Sequence, residues 1–420
     1  MTPRRELAVL VGADLLSNLG SRISVIALPW LVLETTGSPA KMGLVAAAEM
    51  LPYLLSSALG APLADRIGLR RTSILADAGS AALMVAVALA PWLGFGALVA
   101  LVAVVGTLRG AGDRVKQVMF RPVALAADVP LIRLTSVYDG LGRLVTVLGA
   151  GLGGLLIWWF GVTWAILIDA ATFAVCAALV GLFVRSPTAG GGNAPAEPRG
   201  YLRALGDGVR HLGRDRLLLT MLLVLSALNM VVNASVVVYI PLWIVQVLGS
   251  PAGLGLVLGV FAAGALLGNL LFTVYGARLR RDLTFAVGAM VGGAPRLLVL
   301  ALSDNLPLVL VVTFLSGIGI AVVNPLLGVA LYERVPAGLQ TRVIGLAGSL
   351  AFAGLPVGAL LGGWTVTAFG LVPALLASAV FALLVTLVPL VTALHSNRVP
   401  AADPDTAAAP EPDTTSVPPG

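Results

Sequence analysis

The chain has 420 residues, of which 58% are hydrophobic and only 11% charged, whereas a soluble domain carries about 45–50% apolar and about 25% charged residues. A mean hydropathy of +1.00 is more than a water-soluble core can absorb, which excludes an ordinary cytosolic enzyme or nucleic-acid-binding domain. The net charge of +6 does not argue for nucleic acid either, because the basic residues sit in short clusters between apolar runs of membrane-spanning length.

In chain order the apolar segments are 7–33, 42–64, 72–94, 96–112, 134–160 and 162–184, then 217–248, 253–275, 283–302, 306–331, 343–369 and 371–394. Each is long enough for a helix across a ~30 Å hydrocarbon core, and membrane helices tolerate the Gly and Pro scattered among them. The first is too long for a cleavable signal peptide, and no cleavage site follows it. Loop charge alternates along the chain. The first, third and fifth connections hold a single basic residue, Lys41. The second holds Arg66, Arg70 and Arg71, and the fourth Arg114, Lys116, Arg121 and Arg133. The central connection holds Arg185, Arg199, Arg203, Arg210, Arg214 and Arg216; the eighth and tenth hold Arg278, Arg280, Arg281, Arg334 and Arg342. By the positive-inside rule both termini are expected in the cytoplasm.

The sequence repeats itself. Gly37-Ser-Pro-Ala-x-x-Gly-Leu-Val45 returns as Gly249-Ser-Pro-Ala-x-x-Gly-Leu-Val257, and Pro29 is matched by Pro241 at the same offset of 212 residues. Gly149-Ala-x-x-Gly-Gly followed by Gly161 returns as Gly358-Ala-x-x-Gly-Gly followed by Gly370. Six spans separate the copies, so the halves share one membrane orientation, the parallel repeat of two six-helix bundles found in transporters. The expected domains are residues 1–184, a linker over 185–216, residues 217–395 and a tail over 396–420. The linker opens on the Gly/Pro-rich stretch 186–198 and continues into an amphipathic stretch, 201–216, with the spacing of a surface helix. The tail, rich in Pro, Ala, Asp and Thr, has the composition of disorder.

The most specific local pattern lies between the second and third spans, Gly60-Ala-Pro-Leu-Ala-Asp65-Arg66-Ile-Gly68-Leu-Arg70-Arg71. Gly68 permits a tight turn, and Asp65 can accept hydrogen bonds from helix N-termini or arginines across the loop face. A plain solvated basic loop explains the charge but neither Asp65 nor the glycines. The stretch resembles motif A of the major facilitator superfamily, and Gly276-Ala-Arg278-Leu-Arg280-Arg281 resembles its degenerate second copy. Ser17-Asn-Leu-Gly20, Leu28-Pro-Trp30, Leu51-Pro52, Asp169-Ala-x-Thr-Phe173 and Val335-Pro336 extend the resemblance over nearly the whole chain. They resemble the drug-exporter branch that includes macrolide efflux proteins and enterobactin-type siderophore exporters. The resemblance implies a twelve-helix major facilitator fold and proton-coupled efflux of amphipathic compounds. The antiporter motif of the fifth span departs from the family pattern, with Gly149-Ala150 where Gly-Pro is expected.

Ionisable residues within spans are costly and therefore candidates for function. Asp139 and Arg143 stand at i,i+4 and are expected to pair on one helix face, as a structural or gating ion pair. Asp77, near one end of its span, is assigned to the motif A region. Arg109 falls where the resemblance places the arginine of motif B. Glu49 has no basic neighbour in its own helix, and a lone carboxylate at that depth is costly in its charged form. Glu49, Asp14, Asp169 and Arg109 are the candidates for proton coupling or substrate binding; the alternative for Glu49 is a hydrogen bond to a neighbouring helix or snorkelling toward water, and for Asp169 a structural role in its Asp-Ala-x-Thr-Phe setting. Trp30, Trp92, Trp158, Trp159, Trp164 and Trp364 are read as interface anchors. Trp243, with Tyr239 and Phe261 nearby, is a candidate cavity wall. Cys176, the single cysteine, can form no intrachain disulfide and is read as a small buried hydrophobe.

No G-x-x-x-x-G-K-[ST] loop occurs in the chain. His211 and His395 lie outside the spans, and no metal or Ser/His/Asp constellation can be assembled within them. The expectation is a transporter without cofactor or metal, not an enzyme. It is expected to be a monomer in the bacterial inner membrane that moves a small amphipathic molecule against protons, with the lipid bilayer as its other partner and no nucleic acid. Two alternatives remain at this point. One is a dedicated exporter of an endogenous siderophore or antibiotic, and the other a lipid-translocating or interaction protein.

Overall fold

A computed structural model describes residues 2–59, 67–89, 94–185, 210 and 212–396. The first half contains α1 (Pro3–Thr36), α2 (Pro39–Leu59), α3 (Leu69–Ala88), α4 (Phe95–Ala126), α5 (Leu131–Phe160) and α6 (Val162–Phe183). The second contains α7 (Arg216–Val247), α8 (Ala252–Tyr275), α9 (Arg281–Leu302), α10 (Leu306–Arg334), α11 (Ala337–Phe352 continued by Gly354–Phe369) and α12 (Leu371–Ser396). Eleven helices among the described residues are long and apolar enough to cross a membrane. The remaining one, α2, carries Lys41 and Glu49 and packs along α4 inside the same bundle.

Local chemistry sets the helix ends and breaks. α1 stops at Gly37, whose left-handed φ of 62° returns its N–H to the Leu33 carbonyl. The repeat partner Gly249 has the same φ of 62°, a conformation that costs a residue with a Cβ but not glycine. Asp215 caps α7, accepting from the Leu217 and Leu218 amides, and Asn305 caps α10. Three helices are interrupted one turn before a proline. α7 loosens into a π turn over Ser235–Tyr239 ahead of Pro241, α10 breaks at Ala321–Val322 ahead of Pro325, and α11 breaks at Ala353 ahead of Pro356. In each case the proline has no N–H for the carbonyl four residues back. Pro29, Pro52, Pro122 and Pro295 are carried inside unbroken helices.

The halves pair their helices alike. α2 packs on α4, α3 on α4 and α6, and α1 on α5 and α6; likewise α8 packs on α10, α9 on α10 and α12, and α7 on α11 and α12. One close approach recurs in both. Gly106 of α4 lies directly against the Glu49 carbonyl of α2, and Gly317 of α10 directly against the Phe261 carbonyl of α8, so that a Cβ at either glycine would collide. Glu49 and Phe261 are also related by the 212-residue offset.

The two ends of the bundle differ. At the end bearing the Gly37 and Gly249 turns, the Ala40 amide donates to Thr367 Oγ1 at 3.1 Å, Gly363 rests on the Pro39 carbonyl, and Gly154 of α5 meets Gly255 of α8. There the buried apolar side chains form one cluster that runs through both halves. At the arginine-rich end they separate into two clusters, one around Val115 and Phe120 and the other around Leu222 and Leu326. The halves are therefore sealed together at one end and parted at the other.

One predicted boundary is corrected here. The fourth span was expected to stop at residue 112, leaving Arg114, Lys116 and Arg121 in a loop. Instead α4 continues to Ala126 because its apolar stripe continues through Val115, Met119, Phe120 and Val123, all buried.

Candidate functional site

The polar residues inside the first half form two neighbouring groups, both built on α4. Arg109, Asp113 and Lys116 recur at the three- and four-residue spacing that places them on one helix face. That face is turned inward by Gly106 and Gly110, which let α2 approach until its backbone lies against them.

The first group holds Glu49, Arg109 and Asp169. Glu49 of α2 accepts a hydrogen bond from Arg109 Nη1 in a buried ion pair. The guanidinium carbon also lies 5.8 Å from the ring centroids of both Tyr53 and Phe173. The expected lone carboxyl is thus corrected: the partner of Glu49 comes from a neighbouring helix, which local sequence cannot show. Its surroundings also include a small hollow lined by Val25, Pro29, Ala46 and Met50 of the first half and by Asn233 and Val237 of the second. Asp169 of α6 is fully buried and accepts from Ser24 Oγ of α1 and from Thr172 Oγ1 at 3.3 Å. Gly20 makes room for this contact, since a Cβ there would strike the Asp169 and Thr172 side chains.

The second group centres on Lys116, which is 0% exposed. Its ammonium lies 3.2 Å from Asp77 of α3, 3.3 Å from Asp113 and 3.5 Å from Asp14 of α1. Asp14 also accepts from Tyr138 Oη of α5 at 2.6 Å and from Asn18 Nδ2 at 3.1 Å. Cys176 Sγ donates to Asp77 at 3.2 Å, so the cysteine read as a plain hydrophobe is a member of the network. Asp77, assigned from sequence to the motif A region, pairs with the buried lysine. Tyr53 Oη donates to Asp113 at 3.4 Å and stacks beside Arg109, which joins the two groups into a continuous polar chain.

Sequence reasoning missed Lys116, Asp113, Tyr53 and Tyr138. The signal that finds Lys116 is periodicity: it follows Arg109 by two turns on a helix whose apolar stripe had not ended.

Other candidates stand apart. Asp139 and Arg143 are both exposed on α5, and the ion pairs of the described residues do not include one between them. The expected ion pair is not formed in this structure: i,i+4 spacing permits the contact but does not compel it. Gly60, Asp65 and Arg66 lie outside the described residues. Gly68 has a φ of 94° and its carbonyl accepts from Thr72 N at 3.0 Å, opening α3. Arg70 donates to the Gly181 carbonyl at the end of α6, and Arg71 is exposed. The stretch 186–209, most of the amphipathic stretch, and residues 397–420 also lie outside the described residues. Gly149 and Gly153 pack on Arg22 and Ile26 of α1. Trp158, Trp159, Trp164 and Trp364 are exposed near helix ends, Trp92 lies outside the described residues, and Trp30 is buried and donates to Glu34. Trp243 and Tyr239 are buried in the shared apolar cluster, with Tyr239 Oη 2.9 Å from Ser378 Oγ, so they form core and not a cavity wall.

Comparison with known proteins agrees with this architecture. Residues 4–416 match the family described as transmembrane secretion effector. The multidrug efflux pump Tap of Mycobacterium tuberculosis is 29% identical over 403 residues, 93% of this chain and 92% of that one. The protein of the same name from Mycolicibacterium fortuitum is 30% identical over 378 residues, 88% and 91% of the two chains. Among solved structures, the nucleoside transporter NupG superposes with a TM-score of 0.73 at 12% identity, covering 92% of this chain and 98% of that one. An inward-facing bacterial homologue of the human lysosomal transporter Spinster gives 0.72 at 17% identity, covering 95% and 99%.

Proposed function

The chain belongs to the transmembrane secretion effector family of major facilitators, transporters and not enzymes, and on that premise we propose that it exports hydrophobic or cationic compounds in exchange for protons. The observation that carries this reading is the position of Glu49, paired with Arg109 on one side and lining the hollow between the halves on the other. A proton and a cationic substrate then compete for one carboxylate, and differential binding of this kind is what shifts a two-state equilibrium. Each binding event weakens the hold of Glu49 on Arg109. Asp169 and Asp14, buried on α6 and α1 beside the same face of α4, are the further coupling carboxylates.

By the positive-inside rule the arginine-rich end is cytoplasmic, with both termini on that side of the bacterial inner membrane. The parting of the halves at that end then corresponds to an inward-open state. Export proceeds by rocking residues 1–184 against 217–395, linked through 185–216, and the monomer is sufficient for this. Motif A, with Asp65, Arg66, Gly68, Arg70 and Arg71, is the gating element, making a contact across the cytoplasmic face in one conformation and breaking it in the other. Exchange of one proton for one monovalent cation is electroneutral, so a one-unit pH gradient supplies about 1.4 kcal/mol, or tenfold accumulation.

The test uses everted membrane vesicles under an imposed pH gradient, with a panel of fluorescent lipophilic cations. Gradient-driven uptake by the wild type that disappears in Glu49→Gln is expected. Uptake that survives in Glu49→Gln but not in Asp65→Asn would remove Glu49 from the coupling path. A wild type that moves no member of the panel would displace the drug-export reading in favour of a dedicated metabolite exporter.

A further inference from the structure

The second half buries a cation without a counter-charge. Arg296 of α9 is 0% exposed, and none of its three guanidinium nitrogens has a hydrogen-bond partner among the described residues. Its guanidinium lies over the face of Phe261 of α8, 4.6 Å from the ring centroid. The sequence between 217 and 395 has acidic residues only at Asp282, Asp304 and Glu333, all at helix ends, with Asp282 beside Arg280 and Glu333 beside Arg281. A buried carboxyl or lysine can neutralise itself by gaining or losing a proton, but arginine keeps its charge. A ring face offsets only part of the cost of a desolvated cation.

The seam around this arginine holds two more unpartnered donors. α10 packs on both α8 and α9, and Gly317 turns its face to the Phe261 carbonyl. Thr313, one turn away, and Ser316, the adjacent residue, are both 0% exposed, and neither hydroxyl has a partner. Thr386, also buried, bonds back to the Ala382 carbonyl at 2.8 Å; Ser17, Ser73, Ser80 and Ser235 are unpartnered like Thr313 and Ser316, but only these two stand on the helix that packs against both Phe261 and the arginine's helix. The Cα–Cβ bond of Arg296 tilts toward the N-terminus of α9, and its guanidinium ends over Phe261, whose carbonyl meets Gly317 next to Ser316.

The repeat makes the arrangement intelligible. In the first half the position against the α4 glycine is Glu49, which neutralises Arg109. Its counterpart in the second half is Phe261; Arg296 stands on α9, the counterpart of α3, and not at the repeat position of Arg109, which is Ile320, yet its guanidinium meets a ring at the place where the first half has a carboxylate. A guanidinium and two hydroxyls all lack an acceptor, and the group that satisfies them together is an anion.

We propose that the α8–α9–α10 seam is a binding site for a singly charged anion, held by Arg296 with Thr313 and Ser316. The anion is either free chloride or the carboxylate of a bound molecule. This inference stands apart from proton coupling at Glu49 and survives or fails independently of it.

The experiment melts the full-length protein in phosphatidylcholine nanodiscs in sodium sulfate, replaced stepwise by sodium chloride or sodium acetate at constant ionic strength. A ligand that binds the folded state raises the melting temperature saturably. The wild type is expected to respond, and Arg296→Gln is expected to lose at least tenfold in apparent affinity. Phe261→Glu keeps the arginine but supplies an internal counter-charge, as Glu49 does for Arg109, and is also expected to lose the response. A response to chloride alone identifies free halide as the occupant, and a stronger response to acetate identifies a carboxylate. Direct binding of radioactive chloride and acetate to the wild type provides a reading that needs no variant. No response and no binding in the wild type, or an equal response in Arg296→Gln, would overturn the proposal.

Discussion

Replacing Lys116 with methionine should be among the most damaging single changes in the first half. The substitution keeps a long unbranched side chain and removes only the charge. The ammonium lies 3.2, 3.3 and 3.5 Å from three carboxylates on α1, α3 and α4. At an effective dielectric of about 20, each such contact is worth about 5 kcal/mol before desolvation. Repulsion among the carboxylates and the cost of burying the ammonium cancel much of this, and removal of one partner from a buried ion pair typically costs about 3–5 kcal/mol. The expected loss of stability is therefore about 3–5 kcal/mol, seen as a fall in melting temperature of about 3–6 °C for a chain of 420 residues. Asp77→Asn in the same background should restore part of it, because one of the abandoned charges is gone. The assay is a double-mutant cycle on purified protein in nanodiscs. A Lys116→Met variant within about 0.5 kcal/mol of wild type, or effects of the two substitutions that simply add, would refute the cluster as an energetic unit.

Two further outcomes follow from the geometry. Partial burial pushes the Asp215 carboxyl up, but the hydrogen bond from Arg334 and the amides of Leu218 and Leu217 outweigh it and hold it below its ordinary range. A lowered native pKa means that the stabilisation is present above the unfolded value, about 3.9, and is lost as pH falls through the native one. Asp215→Ala should therefore cost about 1 kcal/mol at neutral pH and progressively less as the pH falls through the lowered native value, measured by denaturation from neutral to acid pH; an unchanged cost in acid would contradict it. At the sealed end, Ala40→Cys with Thr367→Cys should crosslink readily, since the Ala40 amide and Thr367 Oγ1 are 3.1 Å apart. The crosslink should stop vesicle transport reversibly by holding the halves together there; transport that continues at full rate while crosslinked would show that this contact need not open.

Much of the fold is legible in local sequence because a bilayer forces each span to satisfy its own backbone hydrogen bonds, leaving a long apolar run as its trace. The two Gly-Ser-Pro-Ala stretches show the repeat for a similar reason: a left-handed glycine leaves a residue type that few others can replace. The site was only half legible. Asp14, Glu49, Arg109 and Asp169 are conspicuous because charge is rare at membrane depth. Lys116 was hidden in a cluster of basic residues that, read as a string, looks like a loop. Asp139 and Arg143 misled in the opposite direction, since their spacing fits a pair that the fold does not form.

What the sequence determined by itself is a chain of membrane-spanning helices and the short stretches that recur in its two halves, consequences of hydropathy and turn chemistry acting over a few residues. What only the tertiary structure decided is which charge meets which. Glu49 finds Arg109 sixty residues away, Lys116 gathers aspartates from three helices, and Arg296 meets a ring where the first half has a carboxylate. Coulomb interaction depends on distance in space, and in a bundle of helices that distance is set by where glycines let one backbone lie against another.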